Sequence, residues 1–383
     1  MLCGRCFPTE GVRHPYLQHR YTESRQRKTN VNSTHSAAAL QLESPGLGVS
    51  IQDRGRTGHR SIGVPVSGAL DPLFLAAANA LAGNPPDAAG LEVLLAGPLL
   101  RAEGGPVRVA LAGEMDARHI DAAGERRPVA VWSTVTLQPG DRLQVGSPRG
   151  VGYLAVAGGI LTPPQLGSRA TYARAGLGLL PASLPCTAFA GDTPEWIAPA
   201  PLLHPDGPIR VIAGPQIDHF DAVVREAFTA DTFTITPERD RMGLRLAGPP
   251  LAHNARGADI VSDGVTPGTI QVPADGRAIV LLADCQTVGG YPKLAVVIRA
   301  DLPRLAHLQP GDGLRFRFVD AAEAAAARAD AAHRLAKWIA ALRPRGPAGT
   351  DSAALLAANL AGAAVRGDED DIAPQAFNAS PTS

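Results

Sequence analysis

The sequence lacks the features that would place it in several common classes of protein. Its 383 residues include four cysteines (Cys3, Cys6, Cys186 and Cys285), too few and too scattered for a disulfide framework, which favours a reducing cytoplasm. No apolar run approaches the ~20 residues of a membrane span. Lys+Arg and Asp+Glu both number 36, so net charge gives no reason to expect nucleic acid or an anionic membrane as partner. We therefore expect a cytoplasmic protein with neither a nucleic-acid nor a membrane partner.

Motifs of several enzyme classes are also missing. The chain contains no GxxxxGK[ST] phosphate loop, no GxGxxG opening a helix, and no HExxH, EF-hand or GxSxG pattern. No methionine flanks a lysine as in a Met-Lys-Met biotin-attachment site. His59, His119, His219 and His253 lie without the spacing of metal ligands. We therefore expect no metal site and no intrinsic cofactor.

Glycine and proline are abundant, at 41 and 34 residues, and the hydrophobic residues fall in short runs between turns. Runs such as 107–113, 209–214 and 293–299 are rich in β-branched residues and leucine, which is typical of strands. Few helices interrupt them. One is predicted from an N-cap at Asp71 to a stop at Gly83, and a second over 216–228. The fold class that follows is mainly β.

Composition and a weak internal repeat suggest how the chain is divided. LAGPLL and LQPGDRLQV in the first half resemble LAGPPL and LQPGDGLRF in the second. An Ala-rich helix with a capping-box pattern follows, and it either packs on the barrel or serves as a docking arm for a partner. We predict a disordered or mis-started extension at 1–45, two similar β halves at 46–205 and 206–320, and a helical extension with an acidic disordered tail at 321–383.

Lysine is scarce, and this draws attention to Lys293. Against 33 arginines there are three lysines, Lys28, Lys293 and Lys337, and Lys293 alone lies between residues 46 and 320. A compact ammonium can approach a carbonyl or carboxylate end-on, and burial can tune it for proton transfer. Lys293 is therefore a candidate functional residue. The alternative is that it is an ordinary charged residue at the start of a strand, with no role in function.

Gly-rich, charged loops are the other candidates for a ligand site. They occupy 51–72, 239–243, 262–273 and 283–297, where glycine lets backbone N–H groups come close to a ligand. Asp–Arg pairs in such loops also serve purely structural roles. The residues expected to line a ligand site are Asp53, Arg54, Ser67, Arg241, Asp263, Gln271, Asp284, Gln286, Thr287, Gly289, Gly290, Tyr291 and Lys293.

These loops carry a resemblance to a known family. QDRGRTGHRSIGVPVSGALD, DRMGLRL and SDGVTPGTIQVPADGRAIVLLADCQTVGGYPK resemble the biotin-dependent carboxyltransferase / allophanate hydrolase subunit 2 family, over about 46–320. Its stand-alone members include the C-type subunits of ATP-dependent 5-oxoprolinase. The resemblance implies two cyclophilin-like β-barrel halves, a small amide or ureide substrate, and two partners, which are the KipI-like B-type subunit and the A-type subunit. ATP would be used by the complex.

Within this resemblance we expect Lys293 to contact a carbonyl or carboxylate, with Tyr291 and Gln286 orienting it. Asp263 or Asp284 would be the general base. Polarising an amide carbonyl and stabilising charge on its oxygen is the physics that such substrates share. Val288 stands where the family usually has threonine, and Asp263 where glutamate is common, so the exact substrate is open.

Two other functions remain open from the sequence. One is a carboxyltransferase component acting on urea or a related amide, with biotin carried by a separate chain. The other is a non-enzymatic regulatory module that binds a KipI-like kinase inhibitor. The first is distinguished by sensitivity to avidin, and the second by indifference to mutation of the polar loops.

Overall fold

The structure is a computed structural model that describes residues 38–191 and 193–345. The strands up to residue 197 are β1 Ala38–Ser44, β2 Leu47–Gln52, β3 Gly90–Ala96, β4 Leu99–Glu103, β5 Val107–Ala112, β6 Ala117–Ile120, β7 Arg126–Pro128, β8 Ser133–Leu137, β9 Arg142–Val145, β10 Gly152–Val156, β11 Ser183–Cys186 and β12 Trp196–Ile197. Those that follow are β13 Ile209–Ala213, β14 Phe233–Arg239, β15 Gly243–Ala247, β16 Asp263–Gly264, β17 Thr269–Gln271, β18 Ile279–Leu281, β19 Val288–Gly289, β20 Lys293–Val297, β21 Gly313–Leu314, β22 Phe316–Phe318 and β23 Arg343–Pro344.

The α-helices of the described chain are α1 Pro72–Ala82, α2 Ala222–Ala230, α3 Leu302–His307 and α4 Ala321–Ala340. The mainly-β prediction with few helices is therefore confirmed. None of the described helices combines the length and the apolar character needed to cross a bilayer. Asp71 caps α1 through its carboxylate, and Gly83 ends it in the left-handed region, both as predicted. The second predicted helix is wrong at its start, because a 3-10 turn at Ile217–His219 and extended backbone precede α2.

Two sheets form the first part of the fold. The six-stranded sheet has the order β11-β1-β4-β9-β6-β7, and the seven-stranded sheet has the order β2-β3-β10-β5-β8-β12-β23. Buried side chains of both meet in one hydrophobic cluster, for example Leu40 and Leu100 with Val109 and Leu154. The alternating inward residues of each strand supply this core.

The eight-stranded sheet forms the second part and is nearly closed into a barrel. Its order is β21-β14-β15-β18-β17-β20-β13-β22. The two outermost strands are separated in sequence by Arg315 alone, so the opposite edges of the sheet meet. Phe228 of α2 packs on Phe233 and Phe316 inside this part. Closure of this kind removes exposed sheet edges.

Helix α1 joins the two parts. It lies on the face of the seven-stranded sheet that carries Tyr153 and Ala155, and its buried Phe74 and Leu81 share one hydrophobic cluster with residues of the eight-stranded sheet. The division at 205/206 remains a prediction. The outer boundaries change, however. The extension predicted for 1–45 is wrong over its last residues, because β1 pairs with β4 and β11 and wholly buries Leu40.

The internal repeat has a structural counterpart in two matching turns, 137–141 and 308–312. In each, the aspartate side chain accepts a hydrogen bond from the backbone N–H of the glutamine three residues earlier, at 2.9 and 2.8 Å. In each, the glycine N–H donates to a strand carbonyl, that of Ala102 or Ile235, at 2.8 and 2.9 Å. Both glycines lie in the left-handed region. The same turn thus starts a strand in both parts of the fold.

At the other end of the chain, Asp320 caps α4 as the pattern predicts, since its carboxylate accepts from the Glu323 N–H at 2.7 Å, but the Glu323 carboxylate binds Arg317 instead of completing a capping box. Beyond α4, strand β23 of the C-terminal extension pairs with β12. The expected acidic tail and the extension before residue 38 lie outside the described residues.

Candidate functional site

Strands β17 and β20 place Gln271 and Lys293 side by side. The two residues are partners across the ladder, at a register shift between Ile270 and Gln271. Both are buried, and the Lys293 side chain is 3% exposed. Its Nζ lies 3.1 Å from Oδ2 of Asp263, whose side chain is 58% exposed. A buried ammonium is thus held by a carboxylate on the surface.

A two-residue ladder brings Asp263 over Lys293. Strands β16 and β19 pair Asp263 with Gly289 and Gly264 with Val288. Backbone bonds extend this ladder on both sides, since Val265 donates to the Thr287 carbonyl and Ile260 to that of Gly290. A Cβ at Gly289 would lie 2.5 Å from Nε2 of Gln271, so the ladder approaches the amide as closely as only glycine permits.

Buried donors without acceptors collect at this point. Gln286 Nε2 donates to Gln271 Oε1 at 3.3 Å. Within the described chain, neither Nε2 of Gln271 nor Nζ of Lys293 makes a hydrogen bond, the ion pair with Asp263 aside. Buried polar groups in native proteins are almost always satisfied. The arrangement therefore suits a ligand that supplies oxygen acceptors.

The ionisation of Asp263 follows from its neighbours. The ion pair with the Lys293 ammonium lowers the pKa of this carboxyl, and the hydrogen bond from the Gly264 N–H acts in the same direction. Asp263 is therefore an ionised acceptor at neutral pH. A carboxylate with a lowered pKa is a weak base, which favours a role in binding and orientation over proton abstraction.

An open cleft of about 480 Å³ reaches Gln271 of this group, whereas Lys293 and Asp263 do not line it. Gln286 and Tyr291 line it together with Gln271, as do Arg239 and Asp240 of the β14–β15 hairpin. The Tyr291 side chain is exposed. The structure thus brings together six of the predicted residues, Asp263, Gln271, Gln286, Gly289, Tyr291 and Lys293, with Thr287 and Gly290 holding the ladder.

Two predicted residues of the first loop lie elsewhere. Arg54 does not line the cleft: its side chain is 73% exposed, and its guanidinium faces Asp87 at 3.3 Å. Asp53 is buried, but its oxygens are taken by Gly55 N–H, Ser168 Oγ and Arg169 N–H at 2.6–2.7 Å. Asp53 therefore ties two loops together, and both its oxygens already accept hydrogen bonds within the protein.

Arg241 and Asp284 also form a structural pair. Arg241 donates to both oxygens of Asp284, at 2.8 and 3.1 Å, and to the carboxylate of Glu92. Burial lowers the pKa of Arg241, but Glu92 and Asp284 outweigh it and the net shift is upward. The role of Asp284 as general base stays a prediction, and the engagement of both its oxygens by a permanent cation does not favour it. Ser67 packs beside this pair, donating its N–H to the Ala283 carbonyl at 3.2 Å.

Sequence reasoning missed two residues near these groups. Gln216 accepts a hydrogen bond from the Lys293 N–H at 3.3 Å and also reaches Asp263. Glu92 is fully buried and binds Tyr153 Oη at 2.6 Å as well as Arg241. A lone glutamate in the apolar run GLEVLLA is a signal that could have identified Glu92. Nothing local distinguishes Gln216.

The fold and this site agree with one family. Residues 62–318 match the family described as carboxyltransferase domain, subdomain A and B, and the chain belongs to it. The resemblance seen in the sequence motifs is thereby confirmed. The C-type subunit of 5-oxoprolinase from Escherichia coli (strain K12) is 34% identical over 302 residues, which cover 76% of this chain and 94% of that protein.

Solved structures agree. TTHA0988 superposes with a TM-score of 0.64 at 34% identity, covering 73% of this chain and 56% of that one. The urea carboxylase of Kluyveromyces lactis gives a TM-score of 0.69 at 26% identity, covering 80% of this chain and 30% of that one. The chain therefore spans little more than half of one solved relative and under a third of the other.

Proposed function

We propose that this chain is the C-type subunit of an ATP-dependent 5-oxoprolinase, which hydrolyses 5-oxo-L-proline to L-glutamate together with A-type and B-type partners. The observation that carries the proposal is the buried Lys293–Gln271 pair, with unused donors beside an open cleft. The likeness to a 5-oxoprolinase component over nearly its full length supports the choice of reaction.

The geometry suggests what each residue does. 5-Oxoproline is a cyclic amide that offers a lactam oxygen and a carboxylate. Lys293 has three N–H donors, of which Asp263 engages one, and the Gln271 amide adds another. These donors bind the lactam oxygen and stabilise the negative charge that develops on it during hydrolysis. The ionised Asp263 accepts the lactam N–H, and Tyr291 at the cleft wall orients the ring.

Access to Lys293 needs a local movement. Its ammonium is covered in the structure, whereas Asp263, which faces it, is mostly exposed on the two-residue ladder. We expect the β16–β19 ladder to lift when substrate enters, so that the substrate oxygen takes a position beside the Lys293 ammonium. Such a step would couple binding to exclusion of water from the site.

The partners complete the reaction in this proposal. The chain has no phosphate-loop motif, so ATP would be bound and split with the help of the A-type and B-type partners. The described cysteines, Cys186 and Cys285, are both free and buried, which suits a complex that works in the cytoplasm.

Reconstitution tests the function. The chain is co-purified with its B-type partner, the A-type partner is added, and 5-oxoproline-dependent ADP release is measured. We expect Lys293→Ala to reduce turnover by about 10²–10³-fold, the usual effect of losing one donor to a developing oxyanion. Lys337→Ala, on the exposed side of α4, is the matched control and should leave turnover unchanged. Full turnover by an assembled Lys293→Ala complex would contradict the proposal.

The likeness to urea carboxylase favours one alternative, a carboxyltransferase component that acts on urea or a similar amide. Biotin on a separate chain would then be required. Avidin added to the reconstituted complex abolishes activity in that case and leaves 5-oxoprolinase activity untouched. A complex that assembles but shows no turnover, with or without the loop mutations, would instead indicate the regulatory module.

A further inference from the structure

Three residues from distant segments converge at the junction of α1 and α3. Oδ2 of Asp71 lies 2.5 Å from Nε2 of His204 and 2.8 Å from Nε2 of His307. The three atoms lie within 4.8 Å of one another. Asp71 precedes α1, His204 lies in the Pro-rich segment before β13, and His307 ends α3. No local pattern requires this meeting, and the proposed hydrolysis does not use it.

The two oxygens of the Asp71 carboxylate have different hydrogen-bond partners. Oδ1 of Asp71 caps α1, accepting from the N–H groups of Leu73 and Phe74 at 2.9 and 3.1 Å. Oδ2 is left for the two imidazoles. Because Asp71 is wholly buried, a bare carboxylate at this place would be costly, and something positive or hydrogen-bonding must face it.

Aromatic packing fixes both imidazoles. The ring of Phe74 stacks on His204 at 5.1 Å with an interplanar angle of 13°, and packs on His307 at 4.7 Å. The two imidazole rings are 5.2 Å apart. The side chains are therefore preorganised with both Nε2 atoms directed at Oδ2 of Asp71. This preorganisation lowers the entropic cost of binding a ligand between them.

The point is reachable from solvent. His204 and His307 both line an open cleft of about 410 Å³ that shares no residue with the cleft beside Lys293. Arg304 also lines this cleft, and its guanidinium is engaged by the carbonyls of Gly207 and Pro208 and by Asp301 at 3.4 Å. Water in the cleft could fill the coordination positions that the protein leaves open.

We propose that Asp71, His204 and His307 form a binding site for a divalent transition-metal ion of the Zn²⁺ type. Two imidazole nitrogens and one carboxylate oxygen are a donor set that these ions prefer. In a tetrahedral zinc site the ligand atoms lie about 3.3 Å apart, given metal–ligand bonds near 2.0–2.1 Å. The metal would replace the present hydrogen bonds once the two Nε2 atoms move from 2.5 and 2.8 Å to about 3.3 Å from Oδ2 of Asp71, with the remaining imidazole hydrogens on Nδ1.

The site would tie together the start of α1, the segment before β13 and the end of α3. A metal here therefore stabilises the packing of the first sheets against the barrel, in addition to any effect on the cleft. The sequence predicted no metal site. His204 and His307 are 103 positions apart in the chain, so no local ligand spacing could indicate that they meet.

The test measures Zn²⁺ and Co²⁺ binding to the full-length chain after chelator treatment. Isothermal titration gives the number of equivalents, and Co²⁺ adds a visible spectrum that reports imidazole coordination. His204→Gln and His307→Gln keep an amide donor for Asp71, so the fold is preserved while the imidazole ligand is lost. We expect each to weaken Zn²⁺ binding by at least about 10-fold, and Zn²⁺ to raise the Tm of the unmodified chain by more than that of either variant.

His119→Ala is the matched control, because His119 pairs with a carboxylate, Asp141, at 2.8 Å without a second imidazole. It should bind Zn²⁺ as the unmodified chain does. Equal stoichiometry and affinity in the double variant His204→Gln/His307→Gln would overturn the proposal, as would absence of Zn²⁺ binding at micromolar concentration. Neither outcome depends on 5-oxoprolinase activity.

Discussion

At the scale of single residues, the site depends on Gly289 having no side chain. Gly289 lies against the Gln271 amide in the ladder that carries Asp263. Its φ is not in the left-handed region, so backbone conformation does not require a glycine at this position. The close approach of the Gln271 amide requires it instead. The Gln271 amide is a flexible group, and a methyl at Gly289 would displace it rather than block folding.

Gly289→Ala is therefore expected to impair turnover more than stability. Displacing the amide misaligns one donor, and we expect about a 10–100-fold loss of activity in the reconstituted complex. Gly264→Ala is the control from the same ladder, because a Cβ at Gly264 meets nothing within 4 Å. Comparable turnover of the two variants, measured beside their thermal unfolding, would show that Gln271 is not positioned by Gly289.

The scarcity of lysine in the sequence identified Lys293 as a candidate site residue, but the other candidates could not be assigned to the site in this way. Asp53 and Arg54 are adjacent, yet one is buried and the other exposed. Both residues lie in the bend after β2, where the Asp53 carboxylate accepts from the Gly55 N–H while Arg54 faces solvent, so adjacency in the chain does not place two charged side chains in one pocket. Which partner a buried charge finds, as with Asp284 and Arg241, depends on contacts that no local pattern contains.

At the scale of elements, the strands with β-branched runs were predictable, whereas β1, β16 and β19 were not. Strand β1 reads AALQLES, with few β-branched residues, and is held by its neighbours β4 and β11. Strands β16 and β19 have two residues each, below the length at which a period can be recognised. The ladder that carries Asp263 was therefore invisible in the sequence.

Helix α4 offers a test at this scale. Its Trp338 is buried, donates Nε1–H to the Ala200 carbonyl at 2.8 Å and meets Trp132 edge-on at 5.6 Å. We expect Trp338→Ala to lower the free energy of unfolding by about 3–5 kcal/mol, the usual cost of truncating a buried aromatic. Trp338→Phe should cost less, since it keeps most of the packing. A loss below ~0.5 kcal/mol in urea unfolding of Trp338→Ala would indicate that α4 docks without this anchor.

At the scale of the whole molecule, a buried charge network joins the two parts of the fold. Arg241 of the β14–β15 turn binds Glu92 of β3, Asp284 after β18 and the Gly68 carbonyl. The Tyr153 hydroxyl completes the network, and burial together with Glu92 raises its pKa, so it stays protonated and donates to Glu92. These partners are up to 173 positions apart, which is why sequence reasoning assigned Arg241 and Asp284 to a ligand instead.

Arg241→Ala should be strongly destabilising, because it leaves two buried carboxylates without a counter-charge. Loss of one partner in such a group typically costs about 3–5 kcal/mol. Arg245→Ala is the control, as Arg245 pairs with Glu238 at 3.3 Å on the surface, where an ion pair contributes ~0–1 kcal/mol. Chemical unfolding of the two variants measures the difference. Equal losses would mean that the network adds no more than a surface pair.

The scarcity of lysine has a practical consequence. On the described surface Lys337 is the one exposed primary amine of a lysine side chain, while that of Lys293 is covered. Immobilising or tagging the protein through this amine would anchor it by the outer side of α4. The cleft lined by Gln271, Gln286 and Tyr291, which α4 does not line, would keep its residues free of the coupling chemistry.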